Sequence, residues 1–325
     1  MAAPTNTITT AQMLAGLDRE MIRNFEQEND RLMEILGITG VEVMNANTTL
    51  FMTKVNGSLS TATRAEGEEV PLSQYSLEKI PVGTFTPDFF RKATTAEAVL
   101  KSGFESAVGK TDDKMVTQIR AKRIKEFFDF LGLGTGDSFA GTLQAILAQT
   151  DAVLDAALED NGDEAERIFH FVNTFDIADY LATANITTQT AYGMRYIETF
   201  LGVNDIFVTN KVPKGTVYAT PGNNIHLFGC DFAELAKAGL DYTTSANGLL
   251  GVAHDPAYRC ASCETHAASG MMLFPEVKDY IIVGSMTKLD DMTADQLKAY
   301  AARHSIDITG KTTKADILAV IKAAQ

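Results

Sequence analysis

The residues whose types and spacing could do chemistry lie between 254 and 266. His254, Cys260, Cys263 and His266 form a His-x5-Cys-x2-Cys-x2-His array. All four are side chains that zinc prefers, and Cys-x2-Cys is a common half-site. The local pattern stands against a metal. Residues 258–267 look extended, and strand residues three apart point to opposite faces, so Cys260 and Cys263 would diverge. Small packing residues are the plainer account, and no metal or cofactor is expected. Gly132-Leu133-Gly134-Thr135-Gly136 superficially suggests a phosphate loop. It follows a helical pattern instead of a strand and lacks the Gly-Lys-Ser/Thr ending, so a connector between lobes is expected. His170, in an apolar strand run, is expected to be a satisfied core histidine. The acidic pairs Glu68/Glu69, Asp112/Asp113 and Asp290/Asp291 fall at helix starts or a hairpin tip, where solvation explains them. With no Gly-x-Ser-x-Gly elbow and no His-Glu-x-x-His helix, the sequence does not argue for an enzyme.

Bulk properties narrow the class further. A chain of 325 residues, 45% hydrophobic and 22% charged, belongs with globular proteins of one large domain or two to three lobes. A net charge of −14 argues against a protein that grips nucleic acid over a broad basic face. Three cysteines make no disulfide framework, and MAAPTNTITTAQM has neither a basic n-region nor an apolar h-region. No apolar run approaches the ~18 residues of a membrane span. A reducing cytoplasm without membrane attachment is the expected setting.

The element that must position the rest is a spine over residues 94–131. Thr94, three places before Glu97, has capping-box spacing. Met115, Val116, Ile119, Arg123, Ile124, Phe127, Phe128 and Leu131 fall at steps of three and four, which makes one buried stripe. Asp112 and Asp113 suit a helix start, Gly103 and Gly109 divide the first half, and Gly132 stops the second. About twenty residues at ~1.5 Å each make a rod of roughly 30 Å. Before it, an amphipathic helix runs from Thr10 to about Leu36. It carries Met13, Leu14, Leu17, Met21, Phe25, Leu32, Ile35 and Leu36 on one face, with Asp18 among the charges of the other, and Gly37 ends it.

Residues 41–83 form two extended arms around a charged tip at Arg64–Glu69. The Asn56-Gly57 pair offers a competing turn, or a bulge. This hairpin has few large apolar residues, and a lone two-stranded ribbon is marginal in water. It must lean on something, and a neighbouring subunit is a serious candidate. Beyond the spine, Asp137 or Ser138 is expected to cap a helix to about Glu159, before a turn at Asn161-Gly162-Asp163. Strands are expected at 168–173, 196–201, 205–209 and 215–219, with short helices at 175–183 and near 232–237. Extended runs follow near 249–266 and 271–284. Strands interleaved with helices, without strict βαβ order, give an α+β class. Residues 287–325 look like a separate module, with Thr293 and Gln296 as its first cap. Its six basic residues outnumber five acidic ones, whereas the remainder holds 22 basic against 37 acidic. Lys311, Lys314 and Lys322 could meet phosphates, but three lysines grip weakly and a solvated face accounts for them at least as well.

In order and spacing, TDDKMVTQIRAKRIKEFFDFL, VNTFDIADYLAT, KVPKGTVYATPGNNIHLF and ETHAASGMMLFPEVKDYIIVG resemble the major capsid protein of tailed double-stranded DNA phages. Encapsulin shells and the herpesvirus capsid floor share that fold. The resemblance covers most of residues 10–286. It implies an N-terminal arm and helix (1–40), an extended loop (41–83), a peripheral domain with the spine helix (84–132 and 249–286) and an axial domain (133–248). The tail (287–325) resembles helix–extended-loop–helix modules of the SAP and LEM-like group, whose members bind DNA or proteins. The family implies hexamers and pentamers of this chain tiling an icosahedral virion capsid, assembled in the host cytoplasm around DNA that it does not read. A portal belongs to the same picture. Only about 40 residues precede the hairpin, so a separate scaffolding protein is expected. The extended loop would lie over a neighbour, with Lys54, Arg64, Glu66, Glu68 and Glu69 as contacts. Some relatives crosslink a hairpin lysine; Lys54 is available, without a partner to name. An encapsulin-type compartment is the alternative on the same fold, and a zinc-dependent nucleic-acid-binding protein is the alternative from another class.

Overall fold

A computed structural model describes residues 10–60, 68–165, 167–178, 189–191, 194–198 and 205–324. The chain opens with helix α1 (Thr10–Leu36) and strands β1 (Val41–Met44), β2 (Thr48–Ser58), β3 (Gln74–Phe85) and β4 (Asp88–Thr95). Helix α2 (Ala96–Ser102), a π-helical turn (Glu105–Gly109) and helix α3 (Lys110–Leu131) follow. Next come β5 (Gly136–Phe139), α4 (Leu143–Asn161), β6 (Ile168–Asn173), β7 (Gln189–Ala191), β8 (Met194–Ile197) and β9 (Asp205–Thr209). Then β10 (Thr216–Pro221), β11 (Ile225–Cys230), α5 (Ala233–Lys237), β12 (Thr243–Thr244), β13 (Leu250–Ala257) and β14 (Ser262–Ser269) lead to β15 (Met272–Pro275) and β16 (Ile282–Ser285). Helices α6 (Ala294–Arg303) and α7 (Lys314–Ala324) close the chain.

The α3 stripe is buried as its spacing requires: Val116, Ile119, Arg123, Ile124, Phe127, Phe128 and Leu131 face inward. Phe127 and Phe128 meet Phe171 of β6 edge-on, with ring centroids 5.6 and 5.4 Å away. The spine is thereby pinned to a seven-stranded sheet of order β5-β16-β10-β6-β9-β8-β7. Every residue of β6 and β9 is buried. α4 packs on this sheet, and its Ile146 and Thr150 come so close to Gly284 that a Cβ there would clash. A four-stranded sheet, β12-β13-β14-β4, carries α1, and β1-β11-β15 make a third sheet under α3.

Several expected boundaries move. Thr94 is not the cap: it stays in β4 opposite Cys263, and Thr95 accepts from the Ala98 amide instead. Asp137 and Ser138 do not start a helix, because β5 pairs in parallel with β16 and consumes them; Thr142 caps α4. The run 249–266 is not one extended segment. It folds back at Tyr258–Cys260, with Ala261 left-handed at φ 44°. The hairpin of 41–83 is shifted: β1 leaves it to pair with β11, and β2 and β3 span 48–85. Asn56-Gly57 is no turn, since both residues pair within the ribbon, and the register shift sits at Leu50/Phe51. Of the strand expected at 196–201, only Tyr196 and Ile197 lie in a strand, β8, which begins at Met194; residues 199–201, like most of the helix expected at 175–183, lie outside the described residues. The turn expected at Asn161-Gly162-Asp163 is there, and Gly162, at φ 72°, ends α4 in the left-handed conformation. Thr293 and Gln296 make the expected capping box of α6.

Candidate assembly surface

Two ends of one ribbon behave differently. At its base, Leu50, Met52 and Phe85 are buried in the main core, Asn47 N donates to Phe85 O (2.7 Å), and Thr53 N donates to Glu276 O (2.8 Å). Further out, β2 and β3 pair only with each other, and Gly57, Leu59 and Tyr75 face Glu159–Asp163 and Tyr280 of the body across an open cleft. Leu59, Val70, Leu72, Tyr75 and Leu77 are exposed there, Leu72 at 94%, and Phe51 is exposed nearer the base. Tyr75 lies against Gly57, where a Cβ would stand 2.1 Å from its ring. Glycine is thus required there for close packing and not for a turn. These exposed apolar side chains on an otherwise polar ribbon make it the candidate contact surface of the chain.

Of the expected contact residues, Lys54 lies on β2 opposite Glu78, and Glu68 and Glu69 are exposed on the way into β3. Arg64 and Glu66 lie outside the described residues. The tail lysines are not brought together: Lys311 and Lys314 are exposed, while Lys322 pairs with Asp290. Arg303 and His304 both meet Asp137 of β5, and Tyr300 packs on Phe139, so the tail is joined to the edge of the seven-stranded sheet.

The His/Cys array does not converge. His254 pairs with Thr265, and Ala253 with His266, so the two histidines face opposite sides of the sheet. His266 lies beside Glu264, which holds Arg91. Cys260 sits exposed in the turn. Both ring nitrogens of His254 are already committed, one to Asp18 of α1 (2.5 Å) and one to Asp112 of α3 (3.0 Å), so it has no lone pair for a metal. Lys92, beside Thr265 on β4, reaches Asp112 at 2.8 Å. Burial alone would push the His254 pKa down; the bonds to Asp112 and Asp18 win and raise it to about 9. Burial likewise pushes Asp112 up, but the bonds from His254 and Lys92 hold it below the usual carboxylate range. Solvation therefore does not explain Asp112, which is buried. Sequence reasoning placed Asp18 on the charged face of α1 and so missed this cluster; Asp18 is in fact buried, and its spacing held the signal. Asp18 lies four residues after Leu14 and three before Met21, on the apolar stripe of α1.

His170 is a core histidine, fully buried in β6, but neither ring nitrogen makes a hydrogen bond; the nearest charge, Asp151 Oδ1, stands 3.7 Å from Nε2. Burial pushes its pKa down to about 4.

No protein-family model matches this chain, and no curated protein does. Among solved structures, the asymmetric unit of the bacteriophage PhiM1 mature capsid matches at TM-score 0.50 and 8% identity. The match covers 76% of this chain and 86% of that one. The fold is that of a tailed-phage capsid subunit. The cyanophage A-1(L) capsid matches at TM-score 0.47 and 12% identity, over 75% of this chain and 89% of that one. The SrpI encapsulin of Synechococcus elongatus PCC 7942 matches at 0.46 and 11%, over 88% and 93%. On this capsid fold, α3 and the seven-stranded sheet form the body, and the ribbon is the element that leaves it.

Proposed function

We propose that the chain is a structural protein, not an enzyme, that assembles as hexamers and pentamers into the icosahedral capsid around phage double-stranded DNA. One observation carries this reading: within a capsid fold, a ribbon anchored at its base presents an uncovered apolar band. A neighbouring copy is the natural cover, because a repeated modest contact closes a shell without any single tight interface. The acidic balance of −14 suits a wall that encloses DNA without adhering to it. No helix among the described residues is long and apolar enough to cross a membrane.

In this reading residues 84–132 and 249–286 form the peripheral domain and 133–248 the axial domain, with β16 of the returning segment crossing over to lie between β5 and β10 in the axial sheet. The tail is a SAP- or LEM-like module docked on β5, with Lys311 and Lys314 free to meet a partner. A separate scaffolding protein and a portal complete the assembly, in the host cytoplasm. Electron microscopy of the purified protein is the test. Closed shells or capsomers are expected, and a monodisperse monomer at high concentration overturns the reading. Protein cargo in place of nucleic acid inside such shells would identify an encapsulin-type compartment.

A further inference from the structure

Helix α1 is attached to the body in two chemically different ways. From Met21 onward the attachment is apolar: Met21, Ile22, Phe25, Leu32, Ile35 and Leu36 are buried. Arg120 donates to Asn24 O and stacks over Phe25, which strengthens the same half. Of the side chains described, which begin at residue 16, the first buried one is Asp18, and what it meets is His254.

The geometry dictates the charge on that histidine. A neutral imidazole carries one N–H, and here both nitrogens face carboxylate oxygens within hydrogen-bonding distance. Only the imidazolium donates to both. His254, Thr265 and Lys92 form a row across three strands, beneath the two helices that bring Asp18 and Asp112. With His254 protonated, two cations balance two carboxylates. Without that proton, Asp112 keeps Lys92 at 2.8 Å, but Asp18 faces a ring lone pair and, among the described residues, no other cation within ion-pair distance. The uncompensated buried charge therefore falls on α1 and not on the spine.

We propose that His254 is a charge-operated latch, and that loss of its proton frees the N-terminal part of α1, up to Asp18, while the rest of the helix stays docked. The other ionisable groups around the row leave this asymmetry in place. Cys263 of β14 shares the face and is held protonated, chiefly by burial and then by Asp112. Glu264 and His266 point to the far side, where Glu264 takes Arg91. Asp255 follows on β13, and Tyr242, beside β12, is pushed up by burial and by Asp255. The His254 pKa is raised from 6.5 to about 9. The latch is thus closed below the unfolded value and opens as pH rises through about 9. Strong acid opens it from the other side, by protonating Asp112, whose pKa is lowered.

Amide hydrogen exchange of the full, unassembled chain tests this, corrected for the intrinsic rate at each pH. Between neutral pH and about pH 10, residues 13–20 should lose about tenfold more protection than residues 24–36, the mark of a local opening. Asp18→Asn should remove that pH dependence, because an amide oxygen accepts from a neutral imidazole without leaving a buried charge. Nitrogen chemical shifts of the labelled His254 ring in the unaltered protein provide a readout that needs no variant: doubly protonated at neutral pH, titrating near 9. A neutral ring at pH 7, equal protection of both halves, or loss of protection over the whole chain at once would overturn the latch. Shell formation plays no part in these measurements, so the capsid reading stands or falls separately.

Discussion

The seven-stranded sheet and the ribbon are both built from strands rich in Val, Ile, Phe and Thr, yet they solve the burial problem in opposite ways. β6 hides all six residues, with Phe171 between two spine phenylalanines and stacked on Phe207 at 5.3 Å. β3 leaves its first six residues, Gln74–Lys79, in solvent. The difference lies in what the topology supplies. β6 has strands on both sides, α4 and the spine, whereas the described outer ribbon has one partner strand and meets the body only across an open cleft. Core residues in the sheet work for the fold of one chain; exposed apolar residues in the ribbon work for whatever covers it.

The sharpest way to break this contrast is to truncate side chains along the gradient from sheet to ribbon tip. Phe171→Ala should cost about 3–5 kcal/mol, because it removes a buried ring and leaves a cavity between α3 and the sheet. Denaturant unfolding of the unassembled chain measures it. Met52→Ala, at the fully buried base of the ribbon, should cost about 2–5 kcal/mol. A cost near zero there would mean that the ribbon is not anchored at home at all.

The two regions were also unequally legible in the sequence. Helices α1, α3 and α6 stand near their expected bounds, because an apolar stripe with a cap or a glycine stop is local information. The ribbon's two arms were legible from alternation, but the expectation that it finds no shelter at home was wrong for its base, where Leu50, Met52 and Phe85 are buried in the chain's own core. Sheet order was not legible. β16 inserts between β10 and β5, the latter more than a hundred residues back along the chain, and no local pattern records such a pairing. The turn after Tyr258 was hidden because Ala261, not glycine or asparagine, takes the left-handed conformation. In the candidate site, Lys92, Asp112 and His254 come from three distant segments. Only Asp18, a charge on an apolar stripe, hinted that they meet.

Acid probes the sheet side of the comparison without a mutation. His170 is buried neutral, its pKa pushed down from 6.5 to about 4 by burial. A depressed pKa means that the group's contribution is present above the unfolded value and is lost as pH falls toward the folded one. Below pH 4 the accumulated cost approaches about 3 kcal/mol. His170→Gln should flatten this part of the stability–pH profile, measured by urea unfolding at a series of pH values. An unchanged acid limb would place the acid sensitivity elsewhere.

At the ribbon's far end the expected effect on the single chain is smallest. Leu72 is 94% exposed and Leu77 56%, so Leu72→Ser with Leu77→Ser removes almost no buried area. Unfolding free energy should shift by less than about 0.5 kcal/mol. The same pair of changes strips apolar area from every ribbon at once, and in a closed shell each weakened contact is repeated at each position. Assembly should therefore fail, or need markedly higher protein concentration, while the monomer unfolds as before; sedimentation and calorimetry on one preparation read the two quantities together. If stability falls along with assembly, the outer ribbon folds back on its own body in solution, and the division between sheet and ribbon drawn above is wrong.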